Sequence, residues 1–181
     1  NRIVRWCDNG LKIEADPRHA EMVIKHYGLE GGKSVKTAGV KDAKKDEDKD
    51  EADDTPMSQS EARDHRGVAA RLNYMTVDRA DCQYATKELA RTMANPTRAD
   101  AEKGMRIARY LLGRPRAVLL YAWQDETSEL AIYSDSDWAG CVKTRKSTSG
   151  GVIMLGSHPL KSYSRQQRTI ALSSAEAELY A

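Results

Sequence analysis

Cysteine is scarce in this chain of 181 residues. Cys7, Cys82 and Cys141 are odd in number, widely separated and form no Cys-x-x-Cys pair. That excludes a disulfide-stapled secreted scaffold and points to reduced thiols. His19, His26, His65 and His158 stand at no zinc spacing from those cysteines, which argues against a metal finger. No run of eighteen apolar residues exists, and no basic-then-apolar segment opens the sequence. No membrane partner is expected, and the chain reads as intracellular, cytoplasmic or nuclear. Position 1 is not methionine and the last residues fall inside a predicted helix, so both ends read as cut from something longer.

A strong charge of one sign is also lacking, with 29 Lys and Arg against 27 Asp and Glu, a net +2. That is too small to establish a nucleic-acid partner, but the charge is unevenly placed. From Lys41 to Asp54 eight acids face four lysines, a local −4 that leaves +6 on the rest of the chain. A mildly basic body suits a phosphate-bearing partner, and a solvated surface explains it as well. The 41–54 run is too poor in apolar residues to offset an ordering entropy of roughly 1–2 kcal/mol per residue. Residues 38–57 are therefore expected to be an acidic flexible linker.

What is present divides into recognisable elements. Ile3–Trp6 and Leu11–Glu14 flank Asn9-Gly10, which predicts a hairpin with a type I′ turn. Asp16 caps a helix whose apolar positions are Ala20, Val23, Ile24 and Tyr27, and Gly28 stops it. Ser58 and Glu61 have capping-box spacing ahead of a helix over 59–75 with Val68, Leu72 and Met75 on one face. Cys82, Ala85, Leu89 and Met93 line a second helix that ends before Pro96. Thr97 caps a third with the stripe Ala101, Met105, Ala108 and Leu112. Arg79, Arg91, Arg98, Arg106 and Arg109 lie among these helices as a possible phosphate-facing surface. Strands follow at 117–123, 129–133, 151–155 and 160–164, then a helix.

The chemistry concentrates near the end. Ile132 and Tyr133 are good strand formers and Ser134 to Asp137 are poor ones, so the strand is expected to end there and present Asp135 near the sheet edge. Both Asp135 and Asp137 also read as turn formers. Ser173, three residues before Glu176, predicts a capped helix carrying Glu176 or Glu178 back toward the sheet. These glutamates lie about 200° apart around a helix, so they do not face the same partner. A carboxylate on a strand opposite one on a helix is the minimum frame for Mg²⁺, a hard cation that takes oxygen ligands.

Asp135-Ser136-Asp137-Trp138-Ala139-Gly140, Arg145-Lys146-Ser147-Thr148-Ser149-Gly150 and Leu172-Ser173-Ser174-Ala175-Glu176-Ala177-Glu178, in that order, resemble the ribonuclease H region of copia-type retrotransposon Pol polyproteins. Upstream, Ile13 to Thr37 resembles the end of the reverse transcriptase, and Asp81 to Gly113 resembles the connection between polymerase and ribonuclease H. The family's Tyr-x-Asp-Asp polymerase motif is absent.

The resemblance implies an α+β chain in four parts: a reverse transcriptase end over 1–37, the linker over 38–57, a helical connection over 58–115 and an incomplete ribonuclease H-like fold over 116–181. It implies Asp135 as the first-strand aspartate and Glu178 as the first-helix glutamate, the two metal ligands, with Glu176 the alternative. Ser174 would touch a ribose 2′-hydroxyl, and His158 is a turn residue. The intact protein would hydrolyse RNA in RNA–DNA hybrids with two Mg²⁺ ions. The family's third catalytic aspartate lies beyond Ala181, so this piece is expected to hold metal and hybrid weakly and to be inactive alone. The alternative is a non-catalytic nucleic-acid-binding or structural relic of a decayed element.

Overall fold

The computed structural model describes residues 2–39 and 53–181. It is an α+β chain in two compact units. Within the described residues the first comprises 2–4, 13–39 and 53–119, and the second comprises 5–12 and 120–181. Strands β1 (Arg2–Cys7), β2 (Gly10–Ala15) and β3 (Val118–Ala122) form one antiparallel sheet in that order. Strands β4 (Leu130–Asp137), β5 (Thr148–Leu155) and β6 (His158–Gln166) form the other, a meander with β5 in the middle. Among the described residues no helix is long and apolar enough to cross a membrane.

The hairpin forms, but its turn is not the expected one. Asp8 and Asn9 make the turn, and Gly10 opens β2 with φ +147°. Asn9 does not take the positive φ that a type I′ turn requires. Gly10 is needed for close approach: a Cβ there would lie 2.2 Å from the Tyr121 carbonyl oxygen on β3.

Four helices build the first unit. Helix α1 (Arg18–His26) buries Ala20, Val23 and Ile24, and Gly28 ends it at φ +61°. Helix α2 (Gln59–Met75) opens with the expected capping box: Ser58 Oγ accepts from the Glu61 N–H, and the Glu61 carboxylate accepts from the Ser58 N–H. A 3-10 turn (Ala80–Cys82) leads into α3 (Gln83–Ala90), which buries Ala85 and Leu89 as expected. In α4 (Arg98–Gly113) the buried face is Asp100, Gly104, Ile107, Ala108, Tyr110 and Leu111; Ala108 is buried as predicted, whereas Ala101, Met105 and Leu112 of the predicted stripe are only partly buried. The face rotates because Asp100 accepts from the Thr97 N–H and hydroxyl, and because Gly104 makes room for Tyr27, whose hydroxyl would lie 2.0 Å from a Cβ there.

Most of the expected linker, residues 40–52, lies outside the described residues. Its end is hydrogen-bonded: the Arg98 N–H donates to the Thr55 carbonyl, the Ala99 N–H to Asp53 and the Met57 N–H to Pro96. Arg79, expected among surface arginines, is instead buried at 1% exposure.

In the second sheet β4 runs four residues further than the sequence suggested. Ser134 to Asp137 stay paired, with Asp135 opposite Gly150, Ser136 opposite Ser149 and Asp137 opposite Thr148. Small residues on β5 accept these poor strand formers, and Gly151 is held to glycine by Tyr163, whose ring would lie 2.6 Å from a Cβ. Gly156 and Ser157 turn the chain into β6, with Gly156 at φ +55°.

His65 on α2 is buried at 3% exposure, with neither ring nitrogen hydrogen-bonded. Burial, aided by Arg66, His26 and Lys103, lowers its pKa below the ordinary histidine value against the opposing pull of Asp100. The unfolded chain therefore takes up this proton first, below about pH 6.5, and stability falls as pH drops through that range. Urea unfolding at pH 7.5 and 5.5 should show a lower midpoint at the lower pH, and His65→Leu should shrink that difference.

Candidate functional site

The site is built where α5 (Ser174–Leu179) meets β4. Because β4 is an edge strand, its outward N–H groups have no strand partner. Glu178 takes up one of them. Its Oε1 accepts from the Ser136 N–H at 3.2 Å and from Ser136 Oγ at 2.9 Å. This brings the Glu178 carboxylate to the residue after Asp135, across 42 positions of sequence. Asp135 itself is exposed, and as Ser136's neighbour on a strand its side chain projects from the opposite face.

Glu176 has a different task. Ser173 Oγ accepts from the Glu176 N–H at 3.1 Å, so the predicted N-cap is present. The Glu176 carboxylate does not return to Ser173 as a capping box would; it accepts from the Leu172 N–H at 2.7 Å and from the Tyr180 hydroxyl at 3.1 Å. That bond and the glutamate charge raise the Tyr180 pKa. Of the two glutamates, Glu178 is the one that reaches β4. Ser174 lies exposed at the first turn of α5.

Polar contacts that sequence reasoning missed hold α5 in place. Gln167, after β6, is buried and donates through Nε2 to the Ala177 carbonyl at 2.8 Å and to Ser149 Oγ at 3.0 Å. Ala177, fully buried, is the helix's core residue. Trp138 Nε1 donates to the Ala171 carbonyl at 3.2 Å, and the Tyr163 hydroxyl donates to Ala181. No periodicity marks Gln167, because it sits in a connection and acts through its amide.

Asp137 is a structural residue. Its carboxylate accepts from the Thr148 N–H, and Gly140 is fixed by it, since a Cβ there would lie 2.1 Å from Asp137 Oδ2. The Ala139 N–H donates to buried Ser147, at φ +51°. Of the two aspartates in the motif, Asp137 closes the turn and Asp135 faces solvent. His158, expected as a turn residue, instead opens β6 and is engaged: one ring nitrogen lies 2.7 Å from the Ala122 carbonyl oxygen and the other 3.2 Å from Gln124 Nε2.

Comparison with known proteins finds relatives among transposon polyproteins. The Pol polyprotein of transposon RE1 from Arabidopsis thaliana is 36% identical over 115 residues, 64% of this chain. That of transposon TNT 1-94 from Nicotiana tabacum is 28% identical over 99% of this chain. Over these residues the chain is similar to retrovirus-related Pol polyproteins of transposons.

The chain spans 8% of the RE1 protein and 14% of the TNT 1-94 protein. It is also 36% identical to secreted RxLR effector protein 161 of Plasmopara viticola, over 63% of this chain and 80% of that protein. No family model matches, and no solved structure does.

Among the described residues the donors do not amount to a metal centre. Among the described residues no three or more His, Cys, Asp or Glu side chains are grouped to hold an ion. Asp137 is spent on Thr148 and Glu178 on Ser136. Asp135 and Glu178 alone do not fit a two-ion site, which needs several carboxylates.

Amide hydrogen exchange tests the geometry. The Ser136 amide, at an edge but bonded to Glu178, should be protected in the native chain and exchange faster in Glu178→Ala. In Glu176→Ala it should stay protected.

Proposed function

We propose that residues 116–181 are the opening part of a ribonuclease H-like domain within a transposon Pol polyprotein. On this reading Asp135 and Glu178 are contributions to a hydrolytic site that acts on the RNA strand of RNA–DNA hybrids. The observation that carries the reading is that α5 brings Glu178 to β4 at Ser136, next in sequence to Asp135, whose own side chain leaves the strand on the other face. A three-stranded antiparallel sheet followed by a helix suits the start of that fold, and similarity to Pol polyproteins supplies the context.

Mg²⁺ belongs to this proposal only through the intact protein. The donors described here do not fit a two-ion site, and no chemical step is assigned to a metal held by this chain. What these residues do is structural: α5 fixes the height of Glu178 above β4, Gln167 fixes α5, and the Asp137 turn fixes the end of the strand that carries Asp135. Ser174, exposed at the head of α5, is proposed to contact the ribose 2′-hydroxyl, the group that separates RNA from DNA.

A second reading, a nucleic-acid-binding or structural module without catalysis, is favoured by one observation: the Glu178 carboxylate is already satisfied by Ser136. Hydrolysis separates the two. The 181-residue chain with Mg²⁺ should cleave a labelled RNA–DNA hybrid negligibly, whereas the same residues within a longer Pol polyprotein should cleave it. Loss of charge stabilisation of the phosphodiester transition state is worth many orders of magnitude in rate. Silence in the longer protein as well would favour the second reading.

A further inference from the structure

A hollow of about 590 Å³ lies on the helical unit between α1 and α2, remote in sequence from Asp135 and Glu178 and independent of the ribonuclease reading. Gly67, Arg71 and Tyr74 contribute its α2 wall, at i, i+4 and i+7, one face of the helix. Arg18, His19 and Met22 contribute its α1 wall.

The chemistry of this hollow is unbalanced. Among the described residues Arg71 makes no ion pair; its Nη1 lies 3.4 Å from His19 Nδ1 and 3.1 Å from Met22 Sδ. An imidazole nitrogen and a thioether are weak acceptors for a planar cation with five N–H donors. Arg18 is bonded to Asp16, holding that carboxyl down to about 2, yet its side chain remains 70% exposed. One turn on, Tyr74 is 55% exposed, with an edge contact to His19 at 5.2 Å. A second, smaller hollow shares Tyr74 and is lined by Arg2, Val77 and Asp78. Gly67, in the interior of α2, has nothing within 4 Å of where a Cβ would stand. A mid-helix glycine weakens the helix and here serves no internal packing. It leaves the backbone open to close approach from outside.

A cation lacking an anion, an exposed ring one turn away and bare helix backbone beside both match one repeating unit of a nucleic-acid strand. We propose that this hollow binds single-stranded nucleic acid, with a phosphate on Arg71, a base stacked on Tyr74 and the backbone passing over Gly67. The strand must be single because a base reaches Tyr74 only when it has left its own stack.

The test is fluorescence anisotropy of a short labelled oligo(dT) with the 181-residue chain at two salt concentrations, with a hybrid duplex as competitor. Arg71→Gln should weaken binding about tenfold and reduce the salt slope by about one. Tyr74→Ala should weaken it about tenfold and Tyr74→Phe little, since the ring does the stacking. Gly67→Leu should raise the thermal midpoint while weakening binding, opposite signs that a purely structural role would not give. Lys103→Gln, at an exposed position of α4, should leave affinity unchanged. No binding by the native chain, Arg71 and Tyr74 variants that bind like it, or a duplex that competes as well as the single strand would each overturn the proposal.

Discussion

The helical unit depends on one buried guanidinium. Arg79 lies between α2 and the 3-10 turn, and its Nε and Nη2 donate to Asp81 at 2.9 and 2.8 Å. Nη2 also donates to the Arg114 carbonyl at 2.9 Å and Nη1 to Pro115 at 3.3 Å, satisfying carbonyls where α4 has ended. The Tyr110 hydroxyl closes the network on Asp81 at 2.8 Å. Burial works against the Arg79 charge, but the bond and ion pair to Asp81 outweigh it and its pKa is raised. The Asp81 carboxyl, likewise opposed by burial, is lowered by the same pair. A buried charge is tolerable only when every donor has a home, so this network fixes how the chain leaves α2 and where α4 stops. The apolar faces of α1 to α4 then close around Leu72, Leu89, Ile107 and Leu111.

The second unit uses a neutral version of the same device. Gln167 ties α5 to β5 through one amide group, and Glu178 ties it to the open edge of β4 through one carboxylate. Only Ala177 of α5 is buried, so this six-residue helix has little hydrophobic anchorage and depends on polar contacts for its position. The candidate site inherits its geometry from these contacts. An edge strand whose N–H donates to a carboxylate is also, among the described residues, an edge that has not been paired by another strand.

Much of this was legible in the sequence because local rules agreed with the fold. Ser58 and Glu61 announced α2, and the apolar spacing of Val68, Leu72 and Met75 marked its buried face. Thr97 and Ser173 marked the starts of α4 and α5. Where tertiary contacts overrode propensity, the reading failed. Ser134 to Asp137 stay in β4 because Thr148 to Gly151 pair with them. The α4 stripe shifted because Asp100, Gly104 and Tyr110 face inward, and an apolar count passes over all three. Arg79 looked like a surface cation because nothing local shows that Asp81 and two distant carbonyls surround it. The separation of Glu176 from Glu178 was legible as an angle around a helix. Which of them faces β4 was not, since that depends on how Gln167 seats α5.

We propose that Asp135 and Glu178 belong to one hydrolytic site in a longer Pol polyprotein, while Asp137 and Glu176 hold the frame. The rate of RNA-strand hydrolysis by a Pol polyprotein containing this chain tests it most directly, with Asp135→Asn compared against Glu176→Gln. The account predicts that Asp135→Asn falls to background while Glu176→Gln retains most of the native rate. An Asp135→Asn protein that cleaves the hybrid at the native rate would contradict it.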